Sequence, residues 1–212
     1  MNRSAPRSSP QPTRHERGFT LLEVLVAVLV LAIGVLGMSG LQAASLQANK
    51  DARQQSAAVR LARELGEMMR GNKDVAIQTT AAANPYLVDF TGTLPTTTAD
   101  CFASPCTSTL EVAQSDLRGW LARIKGTTSA PGELPTARVV VCFDATPYSS
   151  ATGRPQWTCS NSGGTVVVKI GWAHQTTDHG AEGSLGAGNT LAGLDSATLP
   201  SIVMPVIAGS VE

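Results

Sequence analysis

Apolar residues run almost unbroken from Phe19 to Leu41, and between Phe19 and Asn49 the only charged residue is Glu23. As a helix, the 23 residues of that run would extend about 35 Å, and about 20 residues are enough to cross a bilayer core. The pattern then becomes periodic. Val59, Leu61, Ala62, Leu65, Met68 and Met69 recur at three- and four-residue intervals, with Arg53, Arg60, Arg63, Glu64 and Arg70 over much of the rest. This predicts that the helix continues to about Gly71 with one face packed on the chain's own sheet. Gly71-Asn72 is the expected stop.

Residues 72–106 are rich in Thr, Ala and Pro and read as a long connection with a short strand near Tyr86–Thr91. Ser108 and Glu111 have the spacing of a capping box, and Ala113, Leu117, Trp120, Leu121 and Ile124 follow at helical period up to Gly126. Three β-rich runs come next, Arg138–Phe143, Thr165–Trp172 and Ser201–Val206, and their Gly-, Pro- and Ser-rich connections favour antiparallel pairing. Gly180–Gly193 reads as a glycine-rich surface loop. The expected fold class is α+β: a long N-terminal helix on a small antiparallel sheet, with a second helix and long loops.

Composition and charge orient this layout. Aromatic residues make up 4% and charged residues 15% of the chain, both low for a large soluble enzyme core, while Thr, Ser, Ala and Gly dominate the second half. Residues 1–18 hold four arginines, Arg3, Arg7, Arg14 and Arg17, against Glu16, so removing them takes the net charge from 0 to −3. Basic residues flanking a span tend to stay cytoplasmic, which points the remainder outward. A net charge of zero gives no reason to expect nucleic acid as an obligatory partner.

All four cysteines, Cys101, Cys106, Cys142 and Cys159, lie beyond residue 100. An even count there fits two disulfides in an oxidising compartment. Cys101 and Cys106 enclose Phe-Ala-Ser-Pro, a loop that a disulfide would close, and a Cys142–Cys159 bridge would tie a loop back to its strand. A four-cysteine zinc site is the rival, but zinc ribbons usually space their ligand pairs by two residues.

Glu23 decides between readings of the first segment. A carboxylate at that depth costs about 2.5–3.5 kcal/mol on insertion scales, so it needs a partner or a function. A secretory signal cut near Leu46-Gln47-Ala48 leaves it unexplained, and so does a plain anchor. Arg17-Gly18-Phe19-Thr20-Leu21-Leu22-Glu23-Val24-Leu25-Val26-Ala27 resembles the type III signal of type IV prepilins and type II secretion pseudopilins. The resemblance implies a type IV pilin-like fold and three parts: a cytoplasmic leader over 1–18, a helix over 19–71 with its transmembrane part at about 19–41, and a periplasmic head over 72–212. It implies cleavage between Gly18 and Phe19 by a prepilin peptidase, N-methylation of Phe19, and a role for Glu23 in assembly, neutralising the terminal amine of a neighbouring subunit. Gly34, Gly37 and Gly40 recur every third residue, which fits close helix packing in a membrane. It equally fits a helix that loosens when packed into a filament.

The head resembles one subgroup, the minor pilins known as type IV pilus modification protein PilV. The features shared are Asp100-Cys101 through Cys106-Thr107, a helix carrying Asp116-Leu117-Arg118-Gly119-Trp120, a later cysteine-bearing strand, and Val167-Val168-Lys169-Ile170-Gly171-Trp172. The function this implies is a minor pilin that primes or caps a type IV pilus serving adhesion, twitching motility or surface sensing. Its implied partners are other minor pilins, the major pilin, the prepilin peptidase, the inner membrane and a tip adhesin. A type II secretion pseudopilin and a signal-anchored periplasmic enzyme or binding protein are the alternatives.

Other chemistry is sparse. His174, Asp178, His179 and Glu182 lie in a polar glycine-rich stretch with no element to orient them as metal ligands. The glycines of 183–188 fit neither a dinucleotide nor a P-loop pattern, and no nucleophile elbow occurs. No cofactor and no catalytic residue is expected. Arg118, Arg123 and Lys125 near Trp120 would make at most a small basic patch, and a solvated helix face with Trp120 in the core is preferred to a nucleic-acid site.

Overall fold

The structure, a computed structural model, describes residues 18–96, 99–127, 129–134, 136–172 and 199–207. It divides into two compact units, Met1–Ser45 and Leu46–Glu212, and helix α1 (Leu21–Gly71) contributes to both. In the first unit every described side chain is exposed to the surroundings. The apolar window of this helix has a mean hydropathy of 2.8. A helix apolar all round is suited to lipid or to packing among other helices, not to water.

The second unit is built around the rest of α1. Ala58, Leu61, Ala62, Leu65 and Met69 are fully buried, one apolar stripe at helical spacing; Ala58 stands where the periodicity placed Val59, and Val59 and Met68 are partly buried. The stretch after Gly71 is more ordered than a plain connection. A single turn, α2 (Lys73–Ala76), forms there because Val75 and Ala76 join the core. The buried Asn84 then holds the chain: its Nδ2 donates to the carbonyls of Ala76 and Gln78, both at 2.9 Å, and its Oδ1 accepts from the Tyr86 amide at 3.1 Å. Tyr86 is also buried; burial first, then the Asp116 carboxylate, pushes its phenol up to about 12.

Helix α3 (Thr109–Lys125) starts on the capping box anticipated from its sequence: the Ser108 side chain accepts from the Glu111 amide, and the Glu111 carboxylate accepts from the Ser108 amide. It ends at Gly126, whose φ of 89° and lack of room for a Cβ beside Gly132 both demand glycine. Trp120 of α3 is buried and donates its indole N–H to the Leu61 carbonyl of α1 at 3.0 Å.

The sheet is an antiparallel meander in the order β1 (Val88–Phe90), β2 (Arg138–Phe143), β3 (Val166–Gly171) and β4 (Ile202–Val206). One face carries Phe90, Val139, Val141, Phe143, Val168 and Ile170 into a single core cluster with α1 and α3. Gly66 of α1 lies so close to β4 that an added Cβ would sit 3.1 Å from Val206 Cγ1.

The opposite face is covered as well. Val140, Cys142, Val167 and Lys169 alternate with the core residues and are buried too, beneath the β2–β3 loop. The Cys142–Cys159 disulfide fastens that loop to β2. Trp157 from the loop stacks over the Arg138 guanidinium at 4.7 Å, and its ring occupies the place where Gly171 would carry a Cβ. Arg138 also reaches Asp89 of β1 at 3.0 Å.

Candidate assembly site

Two parts of the chain carry chemistry not consumed by the core. The first is the start of α1. Thr20 caps it, its Oγ1 accepting from the Glu23 amide at 3.2 Å, while its carbonyl accepts from Glu23 and Val24. Thr20 and Glu23 have capping-box spacing, which sequence reasoning did not single out. Only half of the box forms, and among the described residues the Glu23 carboxylate has no hydrogen-bond or ion-pair partner. Phe19 is 81% exposed, one helical turn before Glu23. Among the described residues other than its chain neighbour Phe19, no atom lies within 4 Å of where Gly18 would carry a Cβ. Arg17 and the rest of the basic leader lie outside the described residues.

The second part is the loop between Cys101 and Cys106, which a disulfide closes. Asp100 Oδ1 accepts from the amides of Phe102 at 3.0 Å and Ala103 at 3.3 Å. The Cys101 amide donates to Ser115 Oγ on α3 at 3.2 Å. At the other foot, Glu111 Oε2 accepts from the amide and the hydroxyl of Thr107, at 2.7 and 3.0 Å. Those bonds, the Thr107 amide foremost, hold the Glu111 carboxyl below its ordinary range.

The remaining candidates resolve simply. Cys142, Asp144 and Cys159 cluster closely enough to suggest a metal. Their two sulfurs are joined to each other, however, and Asp144 faces Lys169, so no ligand set is left. His174, Asp178, His179 and Glu182, with the glycine-rich stretch around them, lie outside the described residues. Of the three helix cations, Arg123 pairs with Glu64 of α1, while Arg118 and Lys125 are exposed; Trp120 is in the core.

Two family models match the chain: the prokaryotic N-terminal methylation motif over residues 13–39, and type IV pilin Tt1218 over residues 40–118. The matches abut and together cover half of the sequence. No curated protein and no solved structure matches it.

Proposed function

The chain belongs to the type IV prepilin family, and from that premise we propose that it is a minor pilin, of the PilV-like subgroup, that primes or caps a pilus together with other minor pilins. Family membership implies processing by a prepilin peptidase and assembly with other pilins into a pilus, a structural role and not an enzymatic one. The methylation motif and the apolar helix fit an inner-membrane anchor.

The observation that carries the reading is Glu23, a carboxylate in the first turn of an apolar helix that has no partner among the described residues. In this reading the peptidase cuts after Gly18, where the absence of a side chain suits an extended backbone in a narrow protease site. The new terminus is the amine of Phe19, which is methylated and remains cationic. Neither that amine nor Glu23 is tolerable alone in an apolar bundle. Brought together between neighbouring subunits, each removes much of the cost of burying the other. The head, with both disulfides and a mildly acidic balance, faces the periplasm before assembly and the cell surface after it.

Amino-terminal analysis of the chain recovered from membranes tests the cut directly, with N-methyl-Phe19 as the expected first residue. Glu23→Ala should be processed at the same bond yet be missing from sheared filaments. Recovery of that variant at the wild-type level would remove Glu23 from the assembly role.

A further inference from the structure

We propose that Phe102, at the tip of the Cys101–Cys106 loop, is a preformed anchor that inserts into an apolar pocket of another pilin subunit. Phe102 is 98% exposed, the highest value for any large apolar side chain among the described residues, above even those of the apolar helix. A phenylalanine so exposed on a slack loop would be unremarked, since single surface apolar residues are common. This loop is not slack. The disulfide closes it, Asp100 fixes the amides of Phe102 and Ala103, and the carbonyl of Asp100 accepts from Ala103 and Ser104, both at 3.1 Å. Both feet are then fastened to α3, through Ser115 and Glu111. The bonds to Glu111 and Ser115 also serve α3, but Phe102 itself contributes nothing to the core. Holding an aromatic side chain rigidly in solvent lowers the ordering cost of binding, and aromatic anchors seated in pockets dominate interface energetics.

The kind of partner follows from position and charge. The Asn72 side chain donates to the Thr109 carbonyl at 2.7 Å, which ties the start of α3 to the end of α1. In the second unit, α1 runs about 37 Å from Leu46 to Gly71 at 1.5 Å per residue. The loop therefore sits beside the start of α3 and the Gly71 end of α1. Asp100 and Glu111 flank it, and each spends one oxygen, Oδ1 and Oε2, on the loop's own donors. The matching surface is an aromatic-sized apolar pocket with a cationic rim, on a protein. That the protein is a pilin rests on the assembly reading above.

The test uses the full chain in cells that build the pilus, with the photoreactive p-benzoylphenylalanine at position 102. The expected product is a covalent adduct with another pilin, and Phe102→Ala should lower recovery in sheared filaments by about tenfold, with Phe102→Trp restoring part of it. Intact mass with both disulfides present, and an N terminus at Phe19, show that the variant is folded and processed. An adduct only with lipid or with a non-pilin protein, no adduct at all, or normal assembly of processed Phe102→Ala overturns the contact. That failure is separable from failure of the assembly reading, which the Glu23→Ala variant reports on its own.

Discussion

The Lys169 ammonium lies 2.6 Å from Asp144 Oδ2, and both side chains are fully buried on the sheet face turned away from the helices. Lys169 completes its shell with the Thr158 carbonyl at 2.8 Å, and Asp144 Oδ1 accepts from the amides of Thr146 at 2.9 Å and Ser160 at 3.1 Å. Burial alone would push the Asp144 carboxyl up. The adjacent ammonium and the two amides outweigh it and hold the carboxyl below its ordinary value. The pair thus binds β3 to the loop that covers it, next to the Cys142–Cys159 bridge.

Breaking one side of this pair leaves a buried charge without compensation, which costs about 3–5 kcal/mol. Lys169→Met should therefore lower the stability of the head by that amount, and Asp144→Asn in the same background should recover part of it. Because the folded carboxyl titrates below the unfolded value of about 3.9, its contribution is fully present above that pH and is lost as pH falls through the folded value. Urea unfolding of the detergent-solubilised chain, followed by tryptophan fluorescence between pH 2 and 7, measures both effects. A Lys169→Met chain as stable as wild type would mean that the disulfide alone holds the loop.

The two disulfides should differ in weight. Cys142–Cys159 spans 17 residues and Cys101–Cys106 spans 5. By loop-closure entropy, removing the first costs about 3 kcal/mol and the second about 2 kcal/mol. The gap should widen beyond that, since loosening the β2–β3 loop also exposes Lys169 to water. Paired serine replacements, compared by the same unfolding measurement, should show the Cys142→Ser/Cys159→Ser chain as the weaker. The reverse order would contradict the view that this loop is a structural layer of the head.

What could be read from the chain followed the range of the interactions involved. Helix α3 was legible because its capping box and its stripe from Ala113 to Ile124 are local. The strands over Arg138–Phe143, Val166–Gly171 and Ile202–Val206 fell within a residue of the β-rich runs. Glu23 stood out because the penalty for a charge in an apolar run needs no tertiary structure to calculate. Lys169 sent a similar signal, a lone charge in Val-Val-Val-Lys-Ile, but nothing local names Asp144 as its partner. That pairing depends on the β2–β3 register and on the loop folding back. Asn84 and Phe102 were illegible for another reason: their hydrogen bonds and bridge are local, but nothing in a polar loop sequence says which side chain turns inward and which stays in solvent.

The α1–α3 contact offers a contest between burial and charge. Arg123 pairs with Glu64, and Arg60 of the same helix pairs with Glu133 just beyond α3, but the cations are 44% and 58% exposed and the carboxylates about a third. Exposed pairs of this kind are worth about 0–1 kcal/mol. Trp120 is in the core, fills it with an indole ring and bonds to the Leu61 carbonyl. Its truncation to alanine should cost about 3–5 kcal/mol through lost burial and the cavity left behind. Glu64→Gln and Glu133→Gln should each change stability by less than about 1 kcal/mol, and less still at high salt. Thermal unfolding of the three variants ranks these effects. If the two glutamine variants melted as early as Trp120→Ala, α3 would be held to α1 by its surface charges, contrary to the packing described.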